Sequence, residues 1–296
     1  MSVIITYEFD KKTFQYFWEL AKMKENKSGV IIIDGFDYWD KLPENFSDPW
    51  FKTLCPNYRH LKKEELPEGV EFGTTYKTIS INAPKYLEYL LYKFKSLGGT
   101  TQCTTVFHLH DCIDSNTDIV INCSGIHART LGGVEDNDVY AARGQIVIVQ
   151  LPRSYINWTF ERYSGGKGGI DGGGTITYVI PRDNGEVILG GTYEKHNYST
   201  EPDLKEATAI VQRCLSTRSD LLPQDQTNLT IKRNAISFRP CRKGGIRIEA
   251  EWISTEKFGK KILICHNYGH GGYGFQSSYG AAQNVIETIN KSLSSD

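Results

Sequence analysis

The run with the most chemical capacity in this sequence is His266-Asn267-Tyr268-Gly269-His270-Gly271-Gly272-Tyr273-Gly274-Phe275-Gln276. It follows an apolar segment at 262–265 and opens a helical pattern. Glycines let backbone N–H groups approach a ligand closely, and a helix N-terminus adds partial positive charge. The combination suits an electron-rich or anionic group, such as a phosphate or a flavin ring. The plainer alternative is a tight turn with no ligand. A metal is not expected at His266 and His270. They sit on a glycine-rich loop without an acidic or cysteine neighbour, and a metal site needs three or four ligands.

The second run is Ser237-Phe238-Arg239-Pro240-Cys241-Arg242, leading to Gly245-Ile246-Arg247-Ile248-Glu249. An arginine ending an apolar strand, with proline behind it, points in a fixed direction, and guanidinium is the best fork for a carboxylate. Taken alone, this stretch favours a structural ion pair instead. A third run, Thr177-Tyr178-Val179-Ile180-Pro181-Arg182, puts Tyr178 on the same strand face as Ile180, where its phenol could donate to a carboxylate or simply pack in a core. A fourth, Ile121-Asn122-Cys123-Ser124-Gly125 with Ala142-Arg143-Gly144-Gln145, offers small residues at a strand end, which permit close approach of a cofactor. Asp118, Asp171 and Glu249 form no obvious acid–base pair, and no nucleophile elbow, zincin or P-loop motif occurs.

The elements that must position these residues follow from periodicity and breakers. Helices are expected at 11–24 (apolar stripe Phe14, Phe17, Trp18, Ala21), 83–97 (Leu87, Leu90, Leu91, Phe94, with Pro84 in the first turn), 202–215 and 276–292. Strands are expected at 30–33, 117–125, 144–151, 176–182, 187–192, 231–238, 246–252 and 261–265. Residues 37–70 read as irregular and aromatic, and 164–174 as a glycine-dense mobile loop. The mixed order of helices and strands argues for an α/β (α+β) fold: a parallel portion beside a largely antiparallel sheet.

Bulk properties narrow the partners. With 34 basic and 35 acidic residues the net charge is −1, so neither nucleic acid nor an anionic membrane is favoured. No apolar run approaches the ~18 residues of a membrane span, and no secretory leader is expected. The seven cysteines are odd in number and form no C-x-x-C pair, which predicts free, mostly buried thiols in a reducing compartment.

In order along the chain, NCSG (122–125), ARGQ (142–145), TYVIPR (177–182), LGGTY (189–193), FRPCRKGGIRIEAE (238–251) and HNYGHGGYGFQ (266–276) resemble the D-amino-acid oxidase family, which includes D-aspartate oxidase. The resemblance implies an FAD enzyme that oxidises D-amino acids to imino acids and passes the electrons to O2, giving hydrogen peroxide. The imino acid then hydrolyses to a 2-oxo acid and ammonia. It implies a single unit over 1–296, with a flavin-facing Rossmann-like portion near 98–150 and 255–296 and a substrate portion near 1–97 and 151–254. Arg239 matches the substrate-carboxylate arginine, Tyr178 a tyrosine that helps hold the carboxylate, and Gly272 a carbonyl that meets the amino group. Gly271, Gly272, Tyr273, Gly274, Phe275 and Gln276 match the flavin-lining turn, and Arg247 an arginine beside the flavin. Val106, Ser124 and Gly125 match positions nearer the adenosine half. A flavin that takes the hydride agrees with the missing general base.

Two departures qualify what is implied. No strand–G-x-G-x-x-G–helix unit opens the sequence, which predicts an incomplete nucleotide-binding portion and weak flavin affinity. The glycine-rich stretch 164–174 stands where the family often supplies another active-site tyrosine. The alternatives are a non-catalytic remnant with weak or no FAD binding, and a D-aspartate oxidase or related amine or glycine oxidase. Tyr193 stands where D-aspartate oxidases carry an arginine, so neutral D-amino acids are expected to be preferred. The resemblance leaves a homodimer open. It points to the peroxisome, but the tail Ser294-Ser295-Asp296 is no S-K-L-type address, so the cytoplasm stays open too.

Overall fold

The computed structural model of the chain describes residues 3–164, 175–255 and 258–294. The expected loop at 165–174 lies outside the described residues. In chain order the elements are α1 (Val3–Lys22), β1 (Val30–Trp39), β2 (Arg59–His60), β3 (Phe72–Ile81), α2 (Ala83–Ser96), β4 (Ile119–Asn122), β5 (Val139–Gln150), β6 (Trp158–Ser164), β7 (Thr175–Pro181) and β8 (Glu186–Gly190). They continue with β9 (Glu194–Lys195), α3 (Leu204–Thr217), β10 (Ile231–Arg242), β11 (Arg247–Thr255), β12 (Lys260–Tyr268) and α4 (Ser278–Ser294).

The strands form two sheets. The larger has nine strands in the order β10-β5-β8-β7-β6-β1-β3-β2, with β9 also on β5. It is antiparallel except where β1 runs parallel to β6. The smaller is β11-β12-β4, parallel only at β12·β4. The architecture is thus the mixed α/β fold with a largely antiparallel main sheet that the pattern predicts. β5 lies in the large sheet and β11 in the small one.

One face of the large sheet carries the main core. Tyr38, Val147, Val149, Phe160, Val179, Val187 and Leu189 project from it onto α3, whose Ala207, Ile210 and Cys214 recur at helical spacing. Asp203 caps α3, its carboxylate accepting from the N–H groups of Lys205 and Glu206 at 2.8 and 3.2 Å. α1 packs on α4, where Gly280 lacks the Cβ that would stand 2.4 Å from the Phe9 backbone.

Several boundaries differ from the sequence expectation. The buried stripe of α1 is Phe9, Thr13, Phe17 and Leu20. Phe14 and Trp18 are half-buried and stack on each other at 5.4 Å. The reason is Thr13, a polar residue that reaches the interior by donating to the Phe9 carbonyl at 2.8 Å and accepting from Gly280 N–H at 2.9 Å. On α2 the leucine stripe faces outward: Leu87, Leu91 and Phe94 are about half exposed, and Tyr86 is the buried residue. β3 and β6 were not expected. β10 continues through Arg239 and Pro240 to Arg242, so the arginine lies within the strand rather than at its end. The proline is tolerated because β10 is an edge strand of the sheet, whose outer side carries only an isolated bridge at Cys241 among the described residues. All seven cysteines are free, four of them buried.

Candidate active site

Strand alternation sends every second residue of the large sheet to the face opposite α3. On β10 that residue is Arg239. Its guanidinium lies across Gly144 of β5, where a Cβ would come within 2.4 Å of Nη1. Nη1 donates to the carbonyls of Thr192 and Arg143 at 3.1 and 3.4 Å, and the group lies 5.3 Å from the Tyr193 ring centre. Among the described residues no carboxylate pairs with Arg239, so the structural ion pair is not what holds it.

Tyr178 of β7 faces the same way. Its ring lies over Gly190 and Gly191, where a Cβ would meet the phenol at 2.0 and 2.7 Å. The phenol lies close enough to Arg239 to feel its charge. Burial raises its pKa above the usual tyrosine range, while the guanidinium works against that shift. At neutral pH it is a protonated donor beside a fixed cation, which is a two-pronged clamp for a carboxylate. The shelf of Gly144, Gly190 and Gly191 was missed as part of the clamp. The ARGQ and LGGTY blocks held the signal, but only register shows what lies over the glycines.

The glycine-rich turn is tied to this clamp. Cys241, two residues past Arg239, bridges in antiparallel fashion to His270, and a Cβ at Gly272 would stand 3.6 Å from Arg239 Cδ. Residues 266–268 belong to β12, Gly271–Tyr273 form a 3-10 turn, and α4 begins only at Ser278. The helix N-terminus therefore sits farther along the chain than the sequence suggests. Gly269, Gly271 and Gly274 do carry a G-x-G-x-x-G spacing between a strand and a helix, with φ of 88° and 58° at the first two. Gly272, Tyr273, Gly274, Phe275 and Gln276 are exposed, and the Gln276 amide donates to Asp10 at 2.7 Å.

The two histidines brace this region. Buried His266 hydrogen-bonds Asn122 at 3.0 Å and Glu251 at 2.8 Å, joining β4, β12 and β11. His270 hydrogen-bonds Ser277 and Asn267 at 3.2 and 2.8 Å. Burial lowers the pKa of both. Arg247, in register with Tyr268 three residues before Gly271, donates to Tyr268 at 2.7 Å and Glu249 at 3.0 Å. Val106 packs on the cluster of Leu109, Ile113, Leu131, Ile262 and Ile264. Ser124 and Gly125 follow β4, the strand parallel to β12, so they share the carboxyl end of the small sheet with the turn.

Residues 15–288 match the family model described as DAO: FAD dependent oxidoreductase. A D-amino-acid oxidase of Fusarium vanettenii is 33% identical over 255 residues, covering 82% of this chain and 66% of that protein. The D-amino-acid oxidase of Schizosaccharomyces pombe is 30% identical over 282 residues, covering 94% and 77%. A D-aspartate oxidase of Cryptococcus neoformans var. grubii is also 30% identical, over 94% of this chain and 78% of that protein. Among solved structures, the glycine oxidase of Geobacillus kaustophilus superposes with a TM-score of 0.69 at 17% identity, covering 98% of this chain and 79% of that one, a likeness of fold. The chain belongs to the DAO family of FAD-dependent oxidoreductases. It spans just under two thirds of the Fusarium protein's length (66%).

The residues present fit the flavin. The Ser124 hydroxyl is shielded from solvent and, among the described residues, without a hydrogen-bond partner, next to Gly125 at φ 61°. The exposed, Cβ-poor rim of the glycine turn stands beside Arg239. Ser124, Gly125 and the turn residues Gly271 to Gln276 would hold the cofactor.

Proposed function

We propose that this protein oxidises D-amino acids to 2-oxo acids, with O2 reduced to hydrogen peroxide and ammonia released after hydrolysis of the imino acid. The observation that carries this reading is the Arg239–Tyr178 pair. It is a fixed cation with no carboxylate partner among the described residues, and a phenol donor, on a glycine shelf bridged directly to the flavin-type turn. Bound FAD supplies the hydride acceptor. Arg239 and Tyr178 hold the substrate carboxylate at two points, and the Gly272 carbonyl accepts from the amino group. Three fixed contacts at Cα leave one orientation for the Cα–H bond, and orientation is what the protein contributes to such a reaction.

An acidic side chain is disfavoured. Burying a second carboxylate demands a second cation. Arg162 faces the α3 side, where its Nε donates to Asp40 at 2.6 Å. Arg182 pairs with Glu186 at 2.8 Å, and the third candidate, Lys195, lies over the Tyr193 ring at 6.0 Å, which makes it the cation that turnover of D-aspartate would point to. The test is to supply the purified chain with FAD and follow peroxide formation from D-alanine, D-methionine, D-aspartate and L-alanine. Release from the neutral D-isomers is expected. No peroxide from any D-amino acid, or equal rates from L-alanine, would sink the reading.

A further inference from the structure

Next to the clamp stands a charged residue that a site for alanine-sized side chains does not require. Glu161 of β6 is the direct cross-strand partner of Tyr178, so the two side chains share a face. Tyr178 is within electrostatic reach of both Arg239 on one side and Glu161 on the other. The Tyr163 hydroxyl, two residues along, donates to Glu161 at 2.6 Å. Tyr163 in turn lies within electrostatic reach of Tyr273 at the tip of the glycine turn. Glu161 therefore lies at the far end of the space bounded by the clamp, the turn and these tyrosines. It is exposed, and among the described residues no lysine or arginine pairs with it. The adjacent Arg162 points through the sheet to Asp40, and Lys77 on β3 is paired with Asp34 at 2.7 Å.

We propose that Glu161 is a specificity residue that extends the substrate range to D-amino acids with a cationic side chain, of the D-lysine and D-arginine class. The distances fit. The Tyr178 ring leans over β8, two strands from β6, and neighbouring strands lie about 4.8 Å apart, which puts the Glu161 carboxylate roughly 10 Å from the clamp phenol. An extended lysine or arginine, with a hydrogen bond at its charged end, covers that span. D-alanine reaches none of it, so the residue distinguishes long basic substrates from long neutral ones. One strand further on, Asp37 is the parallel neighbour of Glu161 and is buried, its carboxyl accepting at 3.1 Å from Tyr76, whose ring packs on Phe51 at 5.1 Å. Burial, with Glu161 adding to it, pushes the Asp37 carboxyl up to about 8. It is therefore largely protonated at neutral pH, and the negative charge at this end of the face is that of Glu161.

This inference rests on the oxidase reading above, and the experiment separates the two. Wild type, Glu161→Gln, Glu161→Lys and Arg239→Met are supplied with FAD. Each is measured for kcat/KM on D-lysine, D-norleucine and D-glutamate, and for calorimetric binding of the same three. D-Norleucine matches D-lysine in length without the charge. In Glu161→Gln, which keeps an acceptor for Tyr163, the D-lysine to D-norleucine ratio should fall on the order of tenfold in both turnover and binding. Glu161→Lys should raise D-glutamate relative to D-lysine. If Arg239→Met loses all three ligands while Glu161→Gln keeps the wild-type ratio within twofold, the acidic subsite is wrong and the oxidase reading stands. If Arg239→Met binds them as wild type does, the clamp reading falls and takes this inference with it.

Discussion

The two faces of the large sheet are made by the same strands and have opposite characters. Toward α3 stand Tyr38, Val147, Phe160, Val179 and Leu189, all at most 1% exposed. One position along β1, β6, β7 and β8, the other face presents Asp37, Glu161, Tyr178 and Gly190, with Gly144 and Arg239 beyond them on β5 and β10. The first face excludes water and holds the fold. The second holds charged and polar groups over backbone without side chains, with Asp37, Gly144 and Gly190 buried, Tyr178 and Arg239 half-buried and Glu161 exposed, which costs stability and gives nothing back without a ligand. A protein can carry such a face because the alternate residues have already anchored each strand. Fold and chemistry should therefore separate by residue parity, and four measurements test that separation.

The largest effect belongs to the core face. Phe160→Ala should destabilise the protein by about 3–5 kcal/mol in denaturant unfolding, as large aromatic truncations do. The fraction still folded should keep its substrate ratios. A loss below about 1 kcal/mol would mean that the α3 face is not the main core. Second is Arg239→Met, on the site face. Removing one partner of a desolvated charge contact costs about 2–5 kcal/mol, on the order of 30-fold or more in affinity for a carboxylate ligand. The unfolding midpoint should stay near wild type and flavin affinity near normal, since Arg239 has no carboxylate partner among the described residues. A large fall in stability would show that the two faces are not independent.

The third measurement uses pH. Burial raises the Asp37 carboxyl from the ordinary carboxylate range to about 8, so the folded state holds this proton more tightly than the unfolded chain does. Its contribution is fully present below about pH 4 and is lost as pH rises through about 8. Wild type should accordingly lose a few kcal/mol between pH 5 and pH 9 relative to Asp37→Asn. Parallel stability curves for the two proteins would remove Asp37 from this role. The smallest effect is expected from Gly190→Ala. Its new Cβ would stand 2.0 Å from the Tyr178 ring, so the phenol must shift. One hydrogen bond of about 0.5–1.5 kcal/mol is at stake, up to roughly tenfold in carboxylate affinity. Unchanged affinity in a folded variant would show that Tyr178 is not one of the two prongs.

The sequence alone singled out the candidates for the site. Arg239, Tyr178 and the glycine turn stood out by type and spacing, and most strands were legible wherever apolar residues ran together. β3 and β6 were not legible for the reason that makes the sheet useful. Their site-face residues are Thr74, Tyr76 and Thr78, and Glu161 and Tyr163, so polar side chains break the apolar run even though period two is kept. The α1 stripe was misplaced because Thr13 buries a hydroxyl through two hydrogen bonds that no sequence pattern announces. Only the tertiary structure decided what lies beside what. Gly144 and Gly190 became a shelf through the pairings of β5 with β10 and of β7 with β8. Glu161 and Tyr178, 17 positions apart, became neighbours through the β6·β7 register. Alternation tells which residues share a face, but adjacency across strands is a property of register. Register is set by the packing of the whole core face against α3, which no local stretch of sequence contains.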